Sequence, residues 1–334
     1  MFKKIYVTMF ILAGLFACKK DPSLVGPPDR FSTSTYPKTL DDLQSILSPC
    51  YSNLRSVGLY GFELLPKALE NATHTGDANY NGDASWNEMA ANNLSVTNAF
   101  STRAWNAFYT GVKNCNVTLS AADFFEKNFA KPDDKPNIDY IRGQALFMRA
   151  FYYFQLECLY GESYIKQGGA GADKMGVPIY KAFPENLEAT QQPRATTRQV
   201  WDFIIEDLTE SARLLKGKVW SGADQGRISE WAAKGLLGKA YVFTEDWEKA
   251  KTTLADVIQN SGKTLMPYPK YRDAFIGISA NEFNEESLFE LNIDEDNKGN
   301  YGPWGGTPNA TTLNGVIWSA YALGADGTEA GAVA

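Results

Sequence analysis

One polar segment carries oxygen-bearing side chains at the spacing of a calcium-binding loop. Residues 77–88 match the pattern D-x-[DN]-x-[DN]-G-x5-E in full. Oxygen ligands at the first, third, fifth and twelfth positions, with a glycine at the sixth, are what a twelve-residue Ca²⁺ loop requires. The motif predicts a calcium site with five candidate ligands, namely Asp77, Asn79, Asn81, Asp83 and Glu88.

A simpler interpretation of the same segment stays open. Its eighth position is Ala84, where calcium loops usually have a branched apolar residue, and no helical pattern clearly flanks the motif. Runs of Asn, Asp and Gly also arise because turns favour these residues. The motif lies within a long polar loop, residues 71–98, that also contains Tyr80 and Trp86. Loops of this length in compact domains are more often functional than idle.

Composition argues against several classes of function. The 334 residues include a single histidine, so a Ser-His-Asp system would have to use it and a multi-histidine metal site is impossible. The formal net charge is −7 and no basic face is evident, which argues against nucleic-acid binding. Cys50, Cys115 and Cys158 follow the N-terminal region. Their odd number predicts no disulfide framework, and we interpret them as small buried hydrophobic residues.

The N-terminus has the features of a targeting signal. Two lysines precede an apolar stretch, Ile5–Phe16, that is too short to cross a membrane as a helix. The tetrapeptide LFAC (Leu15–Cys18), which overlaps the end of this stretch, resembles the lipobox of bacterial lipoproteins. This resemblance implies cleavage before Cys18 and acylation of that cysteine, which would be the chain's only attachment to the membrane. A plain secretory leader is the alternative.

These features divide the chain into three parts. Residues 1–17 are predicted to be a signal peptide, and residues 18–38, rich in Pro, Gly and Ser, a lipid-anchored linker. Residues 39–334 are predicted to form one domain.

Helical periodicity runs through much of that domain. Its most distinctive segment, Tyr140–Gly161, is apolar or aromatic over most of its circumference, so other helices must cover it. We predict that Asn137 or Asp139 caps its start, that Gly161 ends it, and that Arg142 and Arg149 lie at its edge. Other predicted helices span Leu40–Val57 (after Thr39) and Phe100–Phe125, and begin at Thr196 or Thr197, at Ser229 and at Trp247.

Two patterns indicate how the later helices pack. The tract L-G-x2-Y at Leu237–Tyr241, followed by a turn and another helical stretch, matches much of the tetratricopeptide (TPR) helix-pair pattern. Small residues recur every third position, at Ala232, Gly235 and Gly238, so a neighbouring helix can approach closely. The preceding helix carries a row of carboxylates that we expect to face solvent, namely Asp202, Glu206, Asp207 and Glu210.

Further motifs occur in a specific order along the chain. They include W-x3-Y-x2-V-x3-N (Trp105–Asn116), RGQALFMRAFYYFQLECLYG (Arg142–Gly161), GVPIY (Gly176–Tyr180), PRATTRQVWDFIIEDL (Pro193–Leu208) and NEESLFELN (Asn284–Asn292). With the lipobox, this series resembles that of the SusD/RagB-type nutrient-binding lipoproteins of Bacteroidota. The resemblance implies a mostly α-helical fold of TPR-like helix pairs, with few short strands, packed against a loop-rich ligand-binding portion.

The resemblance also implies a function. Such proteins are not enzymes and need no cofactor. They sit on the cell surface over a SusC-like TonB-dependent transporter in the outer membrane and capture glycans, or for some members peptides. Members are usually longer. The family's motifs end in this chain where the resemblance would imply more C-terminal structure, as expected of a truncated sequence. A lipid-anchored glycoside hydrolase is the rival hypothesis, because paired carboxylates are all that reaction needs.

Family members hold glycans against aromatic side chains presented by loops. The face of a sugar stacks on an aromatic ring while amides and carboxylates bond its hydroxyls. Residues 76–86 and 300–306 combine these side chains. We predict stacking by Tyr80, Trp86, Tyr301 and Trp304, and hydroxyl contacts by Asn79, Asn81 and Asp83. The alternative is that each aromatic residue only packs its own loop.

Overall fold

The computed structural model describes residues 36–61, 63–64, 68, 84–164, 174–184, 186–274 and 281–291. These ranges contain eight α-helices, and their β-structure is limited to an isolated bridge between Met175 and Thr196. The helices are α1 (Leu40–Ser52), α2 (Ala84–Ala90), α3 (Ala99–Asn128), α4 (Lys135–Tyr160), α5 (Thr197–Leu214), α6 (Glu230–Phe243), α7 (Trp247–Asn260) and α8 (Tyr268–Asp273). The mostly α-helical class predicted from the sequence is confirmed.

Helix α4 is the central element, as its aromatic composition predicts. It packs against α1, α3 and α5, and Tyr152 and Tyr153 are fully buried along it. Gly161 ends it as predicted, but the predicted N-caps are wrong. The helix begins at Lys135, because a 3-10 turn at Pro132–Asp134 leads directly into it and Pro136 suits a first helical turn.

Polar residues fix the starts of three other helices. Thr39 and Thr196 each form a capping box, accepting hydrogen bonds from the backbone N–H of Asp42 (3.1 Å) and Gln199 (3.2 Å). The Ser229 hydroxyl caps α6 by accepting from the N–H of Ala232 (3.2 Å). Each cap satisfies a backbone donor that the first helical turn leaves unpaired. The helix starts predicted from these side chains are therefore confirmed.

From α4 onward the helices stack in chain order. Helix α5 packs against α4 and α6, and α6 packs against α7. A Cβ atom added at Gly238 would lie 2.4 Å from Leu254 Cδ2, and one at Gly235 would lie 3.1 Å from Leu288 Cδ1. The small residues on α6 thus allow close approach, as predicted, and the helices form the expected TPR-like scaffold.

Other expectations need correction or lie outside the described residues. Residues 287–291 form no strand, although their sequence is compatible with one. Cys50 and Cys115 are buried as expected, whereas Cys158 on α4 is exposed. The leader and Cys18 lie outside the described residues. Within the ranges that are described, no helix combines the length and the apolar character needed to cross a bilayer.

Candidate functional site

Described residues that precede the long polar loop, and others in its last part, make hydrogen bonds near the start of α3. Before the loop, the buried Glu63 carboxylate accepts from Arg103, with Nε–Oε2 at 2.7 Å and a second contact from Nη2 to Oε1. In its last part, the Glu88 carboxylate accepts from the side-chain amide of Asn98 (2.7 Å) and from the hydroxyl of Ser95 (2.9 Å). We call these five residues the loop base.

The loop base is rigid for local reasons. Asn98 is 3% exposed and caps α3 by accepting from the N–H of Ser101 (2.9 Å). A Cβ atom at Gly58 would lie 2.8 Å from the backbone of Arg103, so the chain that leads toward the loop runs directly against α3. The residues of the loop base are therefore held against the start of α3.

The structure places two of the sequence-predicted site residues. Trp86 and Glu88 both lie on α2, which begins at Ala84 inside the calcium-type motif, and Trp86 is half-buried. A helix thus begins within the motif, although no helical pattern clearly flanks the motif in the sequence. Seven predicted site residues lie outside the described residues, namely Asp77, Asn79, Tyr80, Asn81, Asp83, Tyr301 and Trp304.

A cluster of half-buried aromatic rings lies beside the loop base, where α3 begins and α4 ends. The ring of Trp105 is 4.8 Å from that of Tyr109 and 5.0 Å from that of Tyr160, measured between centroids. Tyr109 in turn meets the ring of Tyr180 edge-on at 5.7 Å. We call these four residues the aromatic cluster. Trp105 and Tyr109 both keep part of their surface exposed.

Each tyrosine of the cluster is held by its hydroxyl group. The hydroxyl of Tyr160 donates to the backbone oxygen of Ser101 (2.7 Å), that of Tyr109 to Pro178 (2.8 Å), and that of Tyr180 to Thr190 (2.6 Å). Burial raises the pKa of Tyr160 to about 12 and that of Tyr109 further. The hydroxyls of Tyr109 and Tyr160 therefore stay protonated at neutral pH, and the hydrogen bonds of all three tyrosines hold their rings in place.

An extended segment, residues 174–184, supplies Tyr180 and crosses the end of α4. The Arg194 guanidinium fastens it by donating to the backbone oxygens of Gly176 (2.6 Å) and Tyr160 (2.5 Å). The bridge between Met175 and Thr196 adds a second attachment. Because Thr196 also caps α5, the cluster is tied to the TPR-like scaffold.

A buried ion pair lies beneath the same segment and corrects two sequence predictions. Arg149 donates to both carboxylate oxygens of Asp207, each at 2.7 Å, and its Nη1 also reaches Asn116 Oδ1 (2.7 Å) and the Lys181 backbone oxygen (2.9 Å). Arg149 is 6% and Asp207 3% exposed, so neither lies at an edge or on a solvated face. Burial raises the pKa of Asp207, and the guanidinium of Arg149 opposes that rise.

A second buried carboxylate, Glu157, occupies the last turn of α4. It is 3% exposed, and neither of its oxygens completes a hydrogen bond with a described residue. Burial raises its pKa to about 8, although the Arg194 guanidinium and the Val177 backbone favour the charged form. The side chain is therefore mostly a neutral carboxylic acid at pH 7.

Sequence reasoning missed Glu157, Asp207 and Tyr180 as parts of this region. A signal was present for Asp207, which lies three residues after Ile204 and four after Phe203 on the buried face of α5. Among the residues that the structure describes, no three His, Cys, Asp or Glu side chains are grouped to hold a metal ion.

Comparison with known proteins relates this helical architecture to one protein family. Residues 28–242 match the SusD-like family model described as "Starch-binding associating with outer membrane". A SusD-like protein of Formosa agariphila is 23% identical over 314 residues, covering 90% of this chain and 53% of that protein. A SusD-like protein of Bacteroides ovatus is 27% identical over 199 residues, covering 56% and 32%. The chain spans about half the length, or less, of the curated relatives it matches.

Solved structures show the same fold. A SusD superfamily protein from Bacteroides thetaiotaomicron superposes with a TM-score of 0.63 at 25% identity, over 77% of this chain and 53% of that one. A laminarin-binding SusD-like protein superposes with a TM-score of 0.65 at 22% identity, over 83% and 55%. Because the family match spans well over half of its residues, the chain belongs to the SusD-like family.

Proposed function

We propose that this protein is a non-catalytic, cell-surface lipoprotein that captures glycans and delivers them to a SusC-like TonB-dependent transporter. In this proposal Cys18 carries the lipid anchor and residues 19–38 are the tether. The family description, starch-binding and associated with the outer membrane, supports both the ligand class and the location.

The observation that carries the proposal is the position of the aromatic cluster next to the loop base. Half-buried rings locked by hydroxyl–backbone bonds lose little conformational entropy when a sugar ring stacks on them. The sequence that connects the two sides of the loop base contains amide and carboxylate side chains, which can bond sugar hydroxyls. A solved neighbour with the same fold is named as laminarin-binding, which makes β-glucans a first class of ligand to test.

Binding to a panel of glycans tests the proposal directly. Laminarin, starch and a set of hemicelluloses are run in affinity gels and by calorimetry against the full chain. We expect retention by at least one polysaccharide, and we expect Trp86→Ala to weaken it by roughly tenfold while the melting temperature is unchanged. Trp247→Ala is the matched control, because that tryptophan is 56% exposed on α7. Absence of binding to every glycan at millimolar concentration would refute the proposal.

The alternatives give different results in the same assays. A peptide-binding member would retain oligopeptides and no glycan. A glycoside hydrolase would release reducing sugar, and mutation of a single carboxylate would abolish the release. Partnership with the transporter predicts that the full-length protein co-purifies with a TonB-dependent β-barrel from detergent-solubilised outer membranes, with no such partner for a Cys18→Ala chain that is not anchored.

We also propose that the motif at residues 77–88 holds a calcium ion that orders the loop. Glu88 would supply the twelfth-position carboxylate, whose oxygens can bind a cation while they accept bonds from Ser95 and Asn98. Calorimetric titration with Ca²⁺ should show one site, and Asp77→Ala should abolish it. A flat titration of the native chain would instead favour an ordinary turn.

A further inference from the structure

Arg194 and Glu157 lie around the same stretch of backbone at the end of α4. The Arg194 guanidinium donates to the backbone oxygens of Gly176 (2.6 Å) and Tyr160 (2.5 Å). A Cβ atom added at Gly176 would lie 2.9 Å from Glu157 Oε2, and one at Gly161 would lie 2.4 Å from Glu157 Cδ. The guanidinium nevertheless bonds only to backbone, since neither oxygen of the buried carboxyl group has a hydrogen-bond partner among the described residues.

The groups around Glu157 give its charged form little support. Burial raises its pKa to about 8, and among the described residues Arg194 is the cation that opposes this rise. Burial, and to a smaller degree the charge of Glu157, raises the pKa of Tyr109 on α3 and of the neighbouring Cys158. Helix α5 presents the apolar side chain of Val200 to this point, and the extended segment presents backbone. The carboxyl group therefore either keeps its proton or ionises and pairs with Arg194.

The extended segment 174–184 is attached differently in its two halves. In the second half, the N–H of Tyr180 donates to the Tyr153 hydroxyl (2.7 Å), and its backbone oxygen accepts from the Asn116 amide (2.9 Å). In the first half, Gly176 is joined to the end of α4 through Arg194. Loss of the Arg194 bonds therefore loosens the first half more than the second.

We propose that Arg194 is a proton-controlled clamp on the first half of the extended segment. While Glu157 carries its proton, the guanidinium holds Gly176 against the end of α4. When Glu157 gives up its proton to solvent, the guanidinium turns to the ionised carboxylate and releases the two backbone oxygens. The raised pKa of Glu157 puts this change at mildly alkaline pH.

The clamp also connects pH to ligand binding. Pro178, in the first half of the segment, accepts the hydrogen bond of the Tyr109 hydroxyl (2.8 Å). Release of that half loosens a ring of the aromatic cluster, so a sugar that stacks there must immobilise it again. We expect glycan affinity to fall severalfold between pH 6.5 and pH 8.5. This consequence rests on the proposed function, whereas the clamp itself does not.

Amide hydrogen exchange of the full chain without ligand tests the clamp. The N–H of Gly176 donates to the backbone oxygen of Ala195 (2.8 Å), so it exchanges when the first half of the segment detaches. After correction for the intrinsic exchange rate, its protection should fall by roughly ten- to a hundredfold between pH 6 and pH 8.5. Glu157→Gln should have the same protection at both pH values. An equal fall at Gly176 and in the middle of α6 would show a general loss of stability and overturn the proposal.

Two further measurements identify Arg194 as the group that moves. The nitrogen-15 NMR signals of its guanidinium should titrate together with the loss of protection and stay constant in Glu157→Gln. Signals that do not titrate in the native chain would refute the clamp. Arg194→Met should show at pH 6 the low protection of Gly176 that the native chain shows at pH 8.5, whereas Arg213→Met, which removes an exposed charge, should behave like the native chain.

Laminarin and starch retention at pH 6.5 and 8.5 tests the connection to binding. Weaker retention at pH 8.5 by the native chain, but not by Glu157→Gln, is the expected result. Retention that is independent of pH while Gly176 loses its protection would overturn the connection. Failure of every glycan to bind at either pH would refute the proposed function, and the exchange experiment would still decide whether the clamp exists.

Discussion

The middle of α4 and its last turn both bury a charged or ionisable side chain under the extended segment 174–184, but they do so in different ways. In the middle, Arg149 and Asp207 satisfy each other with two hydrogen bonds. In the last turn, no cation of the described residues bonds to Glu157, and burial raises its pKa to about 8, which keeps the carboxyl group mostly protonated at neutral pH. Burial of a carboxylate is thus tolerated either by pairing it or by keeping its proton.

This difference determines how each region should respond to change. A buried ion pair stays charged over a wide pH range. Removal of one partner destabilises the protein, because the other charge is then buried without compensation. A buried acid that keeps its proton needs no charged partner, but the free energy of unfolding then depends on pH.

Removal of one partner of the pair should have the largest effect. Asp207→Ala leaves the Arg149 guanidinium buried without its counter-charge, so we expect a loss of about 3–5 kcal/mol in the free energy of unfolding. Urea denaturation measures this loss. Asp202→Ala is the control, since Asp202 is exposed on the same helix, and it should change stability by less than about 0.5 kcal/mol. Equal effects of the two variants would show that the pair is not a determinant of stability.

The second prediction concerns the pH dependence that Glu157 introduces. Its pKa is about 8 in the folded protein and near its ordinary value of 4.5 in the unfolded chain, so unfolding releases a proton between these values. Stability should therefore fall as pH rises from 5 to 8.5, by on the order of 3 kcal/mol.

Glu157→Gln cannot ionise and should remove that fall, so the variant becomes more stable than the native chain at pH 8.5. Urea midpoints at pH 5, 6.5 and 8.5 provide the measurement. Glu206→Gln on the exposed side of α5 should retain the native pH dependence. If native and Glu157→Gln proteins have parallel profiles, Glu157 is ionised in the folded state and the contrast with Asp207 fails.

The sequence alone predicted the secondary-structure elements, but it did not predict the burial of Asp207 and Glu157. Capping residues such as Thr196 and Ser229 predicted helix starts because a cap is a local interaction. The family's aromatic and small-residue motifs predicted the TPR-like packing. Asp207 was assigned to a solvated face because four acidic residues on one helix resemble a surface row, and only the position of Arg149 on another helix shows otherwise.

Glu157 could be predicted still less. On a helical wheel Glu157 lies close to Arg142 and Arg149, which alone would indicate one shared polar strip. In the structure, Arg142 pairs with Asp123 and Glu126 on α3, whereas Glu157 lies beneath a segment that is close to it only after folding. The aromatic cluster likewise combines residues of α3, α4 and the segment that contains Tyr180.

A third prediction tests how tightly Glu157 is enclosed. Gly161 has a φ of −82°, which suits any residue, but an added Cβ would lie 2.4 Å from Glu157 Cδ. Gly161→Ala should therefore cost about 1–3 kcal/mol through overpacking. In a Glu157→Ala background the same change should cost much less, because the colliding atoms are gone. A double-mutant cycle by urea denaturation measures this coupling, and an additive result would place the collision elsewhere.

The smallest expected effect concerns Arg194, the cation whose charge acts on the Glu157 carboxyl group. Arg194 favours the ionised carboxylate from a distance while it fastens the segment through the backbone oxygens of Gly176 and Tyr160. Arg194→Met should raise the pKa of Glu157 further, because one stabilising charge is lost, and should lower stability at pH 6 by only about 1 kcal/mol. Carbon-detected NMR of the Glu157 carboxyl group follows the titration.

Arg213→Met, which removes an exposed charge paired with Glu210, is the control and should leave the pKa of Glu157 unchanged. A Glu157 pKa that falls in the Arg194 variant would mean that the arginine excludes water from the carboxyl group more than it stabilises the charge, and the two regions of α4 would then differ in solvent access as well as in pairing.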